Sequence, residues 1–498
     1  MLLWFVIAYW MISVGIGLWA ATRVHTAKDF AVAGRHLPFY MVTATVFATW
    51  FGAEIVLGVP ATFLKEGLRG IVADPFGGAA CLIIVGLFFA APLYRMNLLT
   101  IGDFYHRRYG RSVETLTSIA IIISYLGWVA AQITALGLVF NVVSGGEISK
   151  LAGMWIGSGT ILVYTLFGGM WAVAITDLVQ MVVIVIGMLW IGVEVNGMVG
   201  GVNVVIEHAA AAGKFEFWPA FDLKEILAFI AAAITLMLGS VPQQDVFQRV
   251  QSSRTEKIAV WASVLGGSLY LLFAFVPMFL AYSANLIEPE MVNSLIEDDH
   301  QMILPQLVMN KAPLVAQIMF FGALLSAIKS CASATLLAPS VTFTENLLRP
   351  LMPRMSDRQL LLSMRIVTLC FTVLVTIYAI YSDSSIFEMV ENAYQITLVM
   401  AFIPLVCGVY WKKSTNQGAL LSIFLGVTTW LAILAFGPED PFVPAHLAGL
   451  LTSAFGMVVG SLLPQTIPHD ASIHDRLRGH HPHAAASMTH HVGSHHQE

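Results

Sequence analysis

The sequence predicts an all-α integral membrane protein with thirteen transmembrane helices. Of its 498 residues, 57% are hydrophobic and only 11% are charged, whereas soluble domains carry about 25% charged residues. The chain also divides into thirteen apolar runs separated by short polar loops. Most runs match the ~20 residues that cross a bilayer as a helix, and they exceed the ~10 residues of a membrane-barrel strand.

The first run is interpreted as a retained leading helix. No positive charge precedes it, and Arg23, Lys28 and Arg35 follow it directly, which is the reverse of a signal peptide. In chain order, the predicted spans are residues 1–21, 39–64, 71–93, 114–143, 152–168, 170–195, 225–249, 258–282, 314–346, 359–381, 385–411, 415–437 and 444–465.

The charges of the loops predict an N-terminus outside and a C-terminus in the cytoplasm. With that orientation, seventeen loop Lys and Arg residues fall inside, Arg249 among them, and six fall outside. Cytoplasmic loops carry such an excess of positive charge.

Two runs contain helix-breaking residues at membrane depth. The first reads TWFGAE at 49–54, and the second reads GSVPQQD at 239–245. Each opens a set of five runs, so the second set enters from the opposite side and forms a 5+5 inverted repeat with broken first and sixth helices. Broken helices at matching positions are typical of transporter binding sites. A proline kink and a packing glycine are the alternative interpretation.

This interpretation divides the chain into six segments. They are a leading helix and cytoplasmic loop (1–38), a first repeat (39–195), an extracellular loop (196–224), a second repeat (225–411), two trailing helices (412–466) and a His-rich cytoplasmic tail (467–498).

No motif in the sequence indicates an enzyme or a nucleic-acid binder. Walker A, G-x-S-x-G and H-E-x-x-H patterns are absent from the sequence, as is a basic stripe. The four cysteines lie in apolar runs rather than in a C-x-x-C pair. The expected partners are therefore the lipid bilayer and a small solute.

Several motifs resemble the sodium:solute symporter family. They are KDFAVAGR at 28–35, GGMWAVAITDLVQ at 168–180, FQRVQSS at 247–253 and FIPLVCGVYWK at 402–412. The similarity extends from about 28 to 430 and is nearest to the choline-transporter-like and related bacterial branches. It implies the inverted-repeat fold shared with the bacterial leucine transporter. It also implies that this protein lies in a bacterial inner membrane.

The resemblance implies an ion-coupled symporter that imports a small organic solute by alternating access. An amino acid, a monocarboxylate or a related metabolite is the expected solute. A solute sensor of the same fold is the alternative. The oligomeric state is left open, with a single chain sufficient for transport.

The resemblance also implies a sodium site. Its ligands correspond to the carbonyl groups of Ala48, Phe51 and Ala327 and to the side chains of Ser330 and Cys331. Small hard cations prefer oxygen ligands, so Ser330 fits this site. The family has Ser or Thr at the position of Cys331. The cysteine weakens the sodium site, because a thiol is a soft ligand.

Lys329 is a second departure, at the centre of run 314–346. A lysine there costs about 2.5–3.5 kcal/mol even on lenient scales and is a functional candidate. Helical geometry places it about 200° from Ala327, on the side of Ser333. The resemblance implies that some relatives bind a second sodium ion on this side. We expect the Lys329 ammonium to replace that ion and to pair with Asp177, with proton coupling as an alternative to sodium. In the other interpretation, the aliphatic stem of Lys329 extends far enough to place its ammonium in a polar vestibule.

The substrate is expected between the two breaks, near Trp50, Glu54, Gln132, Gln243 and Gln244. Choline transporters have a Trp where this chain has Gln243. That change removes one aromatic wall for an ammonium group, so it argues against choline.

The tail contains nine of the 15 histidines. Imidazole binds Zn, Cu or Ni, so the tail is a weak metal candidate, and a disordered tail is the alternative. The residues concerned are His480, His481, His483, His490 and His491.

Overall fold

The computed structural model describes residues 1–297, 299–438 and 440–467. The histidines proposed as metal ligands lie outside the described residues. Fourteen helices build the bundle: α1 (Leu2–Ala20), α2 (Phe39–Trp50), α3 (Glu54–Glu66), α4 (Leu68–Arg95), α5 (Arg111–Val143), α6 (Lys150–Val199), α7 (Leu223–Gly239), α8 (Gln244–Ser252), α9 (Glu256–Ile287), α10 (Leu314–Leu351), α11 (Asp357–Tyr381), α12 (Ile386–Tyr410), α13 (Asn416–Phe436) and α14 (Ala445–Leu462).

Ten of the described helices are long and apolar enough to cross a membrane, and counting each of two bent pairs as one span gives twelve. The bent pairs are α2 with α3, at 54°, and α7 with α8, at 43°. Both breaks fall where the sequence predicts them. Gly, Pro and polar residues interrupt the apolar pattern there, so the backbone leaves the helix.

One pair of predicted spans forms a single element. Residues 152–168 and 170–195 both lie in α6, whose 50 residues are helical except at Gly169. Gly169 has φ 47° and ψ −142°. A side chain at this position would lie 2.5 Å from the Phe30 carbonyl oxygen, so only glycine fits this interruption.

Helix α10 occupies the centre of the bundle and packs against α2, α5 and α6. Every residue from Ala323 to Thr342 is buried. The outer helices instead expose large apolar side chains, for example Val193 and Leu272. Burial at the centre and apolar exposure at the rim fit a bundle surrounded by lipid.

Short helices occupy segments that were predicted as loops. The predicted loop 196–224 contains the ten-residue helix Val202–Ala211, preceded by Gly200 and Gly201 at positive φ. The helix is too short to span a membrane and its sequence is apolar on one side, so a search for long runs misses it.

The two bent pairs are joined at one end by backbone hydrogen bonds. Leu37, just before α2, donates its N–H to the Ser252 carbonyl at 3.0 Å. Its own carbonyl accepts the N–H of Arg254 at 2.9 Å. These bonds fix the start of α2 to the end of α8.

Candidate substrate and ion sites

The first break places Glu54 beside the centre of α10. Helix α2 ends at Trp50, and Phe51 leaves helical geometry with φ −84° and ψ 70°. A side chain at Gly52 would lie 2.7 Å from the Glu54 carboxylate and 2.9 Å from the Cys331 sulfur. Glycine is therefore required for this close approach.

Gln132 of α5 bonds to both sides of the Glu54 turn. Its side-chain oxygen accepts the Ala53 N–H at 2.9 Å, and its nitrogen donates to Glu54 Oε2 at 2.7 Å. The Trp128 indole N–H also points to Glu54, at 3.4 Å. Glu54 and Gln132, both predicted as substrate residues, thus form one polar unit.

Four aromatic side chains pack together beside this unit, which they contact through Trp128. The Trp50 ring lies 5.6 Å from Trp128, 6.3 Å from Tyr270 and 6.4 Å from Tyr394, measured between centroids. Trp128 and Tyr394 are 5.4 Å apart. All four are at most 3% exposed. We call Trp50, Trp128, Tyr270 and Tyr394 the aromatic cluster; of its members, the sequence indicated only Trp50.

Two further carboxylates contact this region through tyrosines. Asp74 accepts a hydrogen bond from the Tyr270 hydroxyl, and Asp245 accepts one from Tyr125 at 2.5 Å. Both carboxylates are buried. Together with Glu54, they make the surroundings of the aromatic cluster acidic.

Asp74 reaches the cluster because α4 is interrupted there, with φ −146° and ψ 125°. Atoms of Asp74, Trp50 and Tyr270 all lie within 3.4 Å of where a side chain on Gly78 would begin. The sequence signal for this interruption is an acid before a proline, Asp74 and Pro75, inside run 71–93. The sequence analysis did not include Asp74 among the candidate site residues.

The two glutamines of the second break have different surroundings. Gln243 donates to Ser124 at 2.8 Å and to Thr397 at 3.3 Å, so it links α5 to α12. Gln244 accepts the N–H of Ile101 at 2.8 Å. Gln244 thus holds the start of the helix Ile101–Arg108, a contact that the sequence did not predict.

Arg249 is not a loop residue, contrary to its place in the charge count. It lies in α8 and is 1% exposed. Its guanidinium donates to the Thr49 hydroxyl at 2.7 Å and to the Asp245 carbonyl at 2.8 Å. Arg249 therefore joins the two breaks, and the inside total becomes sixteen.

The predicted sodium ligands come from α2 and α10, which pack together. In a continuous helix the Ala48 carbonyl would accept the N–H of Gly52. That N–H instead bonds to the Trp50 carbonyl at 3.0 Å. The Ala48 oxygen thereby loses its helical partner, as a cation ligand at a break requires.

Ser330 is held from the opposite side by Asp177 of α6. Its hydroxyl donates to Asp177 Oδ1 at 2.6 Å, and Thr45 donates to the other oxygen of the same carboxylate. A hydroxyl that donates its hydrogen keeps its oxygen lone pairs for a cation. The Ser330 oxygen therefore stays available to a cation, and Cys331 is the soft position in the predicted ligand set.

The predicted pair of Lys329 with Asp177 is wrong. The ammonium donates to the Ser13 hydroxyl of α1 at 2.5 Å, and it lies 4.6 Å from the Trp10 ring centroid and 5.3 Å from that of Tyr164. Asp177 of α6 contacts α10 at Ser330, whereas Lys329 points to α1, which covers a different face of α10. Ser333 instead donates to the Ser330 carbonyl at 3.1 Å.

A cavity of about 620 Å³ opens beside the far end of α3. Four carboxylates line it, from Glu66, Glu225, Glu388 and Glu391, against the cations Lys65 and Arg69. Glu391 lies one turn before Tyr394 of the aromatic cluster. The cavity is thus an acidic vestibule at the end of α3.

Comparison with known proteins agrees with this geometry. Residues 30–426 match the family described as "Sodium:solute symporter family". The chain belongs to the sodium:solute symporter family. The "High-affinity choline transporter 1" of Caenorhabditis elegans is 26% identical over 85% of this chain and 76% of its own length. The "Sodium/proline symporter" of Haemophilus influenzae is 24% identical over 90% of this chain and 92% of its own.

Two solved structures share the fold of this chain. A Na⁺-coupled sialic acid symporter, described in a substrate-bound outward-open state, aligns with a TM-score of 0.80 at 17% identity. The alignment covers 94% of this chain and 99% of the sialic acid symporter. Mhp1, a nucleobase-cation-symport-1 transporter, aligns at 0.58 with 14% identity, covering 90% and 98%.

Family membership makes the chain a multi-pass membrane symporter for a small organic solute, with sodium as the expected coupling ion. The relatives and structural neighbours are transporters rather than enzymes. They favour transport over the sensor alternative.

Proposed function

We propose that this symporter couples sodium entry to the transport of a small organic cation with an ammonium head group. The aromatic cluster is the observation that carries the proposal. Aromatic faces attract ammonium groups, by about 2 kcal/mol or more in a desolvated site. Glu54 completes the site, since its carboxylate lies within hydrogen-bond reach of Trp128.

Choline, the solute named for several relatives, belongs to this class. The absence of a Trp at Gln243 argued against it in the sequence. In the structure, Trp128, Tyr270 and Tyr394 supply aromatic walls around Trp50 from other helices. The acidic vestibule supports the same charge preference, because its four carboxylates outnumber the cations Lys65 and Arg69, and a cleft with an excess of one charge concentrates the opposite ion.

The proposed coupling ion is sodium rather than a proton. Its ligands would be the carbonyl oxygens of Ala48, Phe51 and Ala327 and the side chains of Ser330 and Cys331. Sodium held there would tie α2, which ends in the aromatic cluster, to α10. Lys329, the residue that suggested proton coupling, faces α1 instead.

The proposed architecture has thirteen spans, with inverted repeats over 39–195 and 225–411, one leading helix and two trailing helices. The two bent pairs and the interruption at Gly169 support it. We also propose an N-terminus outside and a C-terminus inside a bacterial inner membrane, supported by the sixteen-to-six charge count and by bacterial relatives. A single chain would suffice for transport.

The decisive experiment is uptake into proteoliposomes driven by a sodium gradient. Choline, proline and lactate would be tested separately, with potassium replacing sodium as the control. We expect saturable, sodium-dependent choline uptake and little uptake of lactate. Sodium-driven transport of proline or lactate without choline transport would contradict the cationic class.

Two variants test the site itself. Glu54→Gln keeps the shape of the side chain and its bond to Gln132 but removes the charge that faces the ammonium. We expect weaker choline binding with little change in thermal stability. Glu66→Gln, a vestibule residue outside the aromatic cluster, is the matched control. Equal loss of choline affinity in both variants would argue against a direct role for Glu54.

A further inference from the structure

Helix α1 makes a row of contacts with the centre of the bundle. Tyr9 bonds to Ser326, and Ser13 bonds to Lys329, both on α10. One turn further, Gly17 packs against Tyr164, where a side chain on Gly17 would lie only 2.8 Å from the tyrosine Cβ. The leading helix thus contacts the same segment of α10 that carries the proposed sodium ligands.

The Lys329 ammonium is stabilised without a carboxylate. In the parts of the chain that the structure describes, no acidic side chain forms a salt bridge with it. It is fully buried and is bounded by the Ser13 oxygen and the faces of Trp10 and Tyr164. Hydroxyl and aromatic groups together can hold an ammonium in a low-dielectric site.

The backbone of Lys329 is connected to the proposed ion site. Tyr164 donates its hydroxyl to the Lys329 carbonyl at 3.3 Å. The next residue, Ser330, bonds to Asp177 at 2.6 Å. A shift of Lys329 along or around α10 would therefore move Ser330 and the Ala327 carbonyl.

We propose that Lys329 is a positioning residue for sodium, through which helix α1 holds the ion-binding segment of α10 in register. The ammonium binds Ser13 and the rings of Trp10 and Tyr164, and this attachment keeps Ser330 and Ala327 at the distance from α2 that the ion requires. This inference rests on the proposed sodium site. It makes the leading helix, outside both repeats, part of the ion-binding machinery.

The test measures the sodium concentration for half-maximal uptake in proteoliposomes. Ser13→Ala removes the hydroxyl partner and leaves Lys329 in place, while Lys329→Met keeps most of the stem and removes the charge. We expect both variants to raise this concentration by about five- to tenfold, which corresponds to the net contribution of roughly one intramolecular hydrogen bond. The solute concentration for half-maximal uptake at saturating sodium is expected to stay within about twofold.

Tyr9→Phe is the matched control, because it removes a hydrogen bond between the same two helices without touching Lys329. Its sodium dependence is expected to match the wild type. The double variant Ser13→Ala, Lys329→Met is expected to resemble Lys329→Met alone, since the two changes break one contact.

Sodium dependence of Ser13→Ala equal to that of Tyr9→Phe would overturn the inference, and this result stands even when Lys329→Met fails to fold. Equal losses of maximal uptake in all three variants, with sodium affinity unchanged, would also overturn it. Wild-type uptake without any sodium dependence would instead reject the proposed sodium site, and this inference with it.

Discussion

Tyr125 and Asp245 exchange two hydrogen bonds at the second helix break. The tyrosine hydroxyl donates to Asp245 Oδ1 at 2.5 Å and accepts the Asp245 N–H at 2.8 Å. The first N–H groups of a helix lack partners within it. A side chain of α5 therefore caps the first turn of α8 and fixes where that helix begins.

Replacing Tyr125 by Phe removes both bonds and leaves a buried carboxylate oxygen and N–H without this partner. We expect the free energy of unfolding to fall by about 1–3 kcal/mol, measured as a lower midpoint of thermal unfolding in detergent. Tyr105→Phe is the control, because this buried tyrosine makes one bond to the Ala401 carbonyl, at 2.9 Å. Equal destabilisation by the two variants would show that the pair of bonds at Tyr125 stabilises the fold no more than the single bond of Tyr105.

The close contact at Gly52 makes a second prediction. Alanine there would place its methyl group 2.7 Å from Glu54 and 2.9 Å from Cys331. Gly52→Ala is expected to cost about 1–3 kcal/mol, as overpacked core sites do, and to weaken sodium and solute dependence together. Gly15→Ala, with nothing within 4 Å of the new methyl, should leave transport unchanged. Normal sodium and solute dependence in Gly52→Ala would contradict the contact.

Cys331 supplies a third prediction. Cys331→Ser replaces a soft sulfur by an oxygen in the proposed sodium site, and oxygen is the ligand that small cations prefer. The sodium concentration for half-maximal uptake should fall by about three- to tenfold, corresponding to ~1 kcal/mol. Cys81→Ser makes the same chemical change at another buried position and should leave sodium affinity unaltered. A sodium affinity unchanged by Cys331→Ser would place this side chain outside the ion's ligands.

His106 gives a pH-dependent prediction. It lies in the helix Ile101–Arg108, outside the spans, with Nδ1 2.7 Å from the Glu114 carboxylate. Glu114 raises the pKa of the imidazole, while partial burial and Arg111 oppose the rise. A raised pKa stabilises the folded state below about pH 6.5, and this contribution disappears as pH rises through the folded value.

The wild type should therefore lose thermal stability between about pH 6 and pH 8, and His106→Gln should lose less over the same range. Thermal unfolding at several pH values in constant salt checks this. The nearby Asp103 and Arg111 remain in both proteins, so the difference between the two curves isolates His106. Parallel curves would show that His106 and its contact with Glu114 contribute nothing to the pH dependence of stability.

The breaks were predictable from sequence because they are local. Gly52, and the run that begins at Gly239, interrupt long apolar stretches, and such interruptions need no knowledge of neighbouring helices. The unit of Glu54 and Gln132 was also within reach, since each is a rare polar residue in an apolar run. Buried polar side chains find partners, which made both of them candidates.

The aromatic cluster could not be predicted in the same way. Trp128, Tyr270 and Tyr394 are three of 55 aromatic residues, and their spacing does not say which helix faces they meet. The partner of Lys329 was missed for a related reason. Helical geometry gave the correct face of α10, but the place of α1 in the bundle depends on tertiary packing that periodicity does not encode.

The backbone link at Leu37 limits how this protein can open. Two peptide hydrogen bonds fasten the start of α2 to the end of α8, so these ends cannot separate without breaking them. At the opposite end of the first bent pair, the vestibule leaves space around α3. Any opening that keeps these two bonds must therefore move the start of α2 and the end of α8 together.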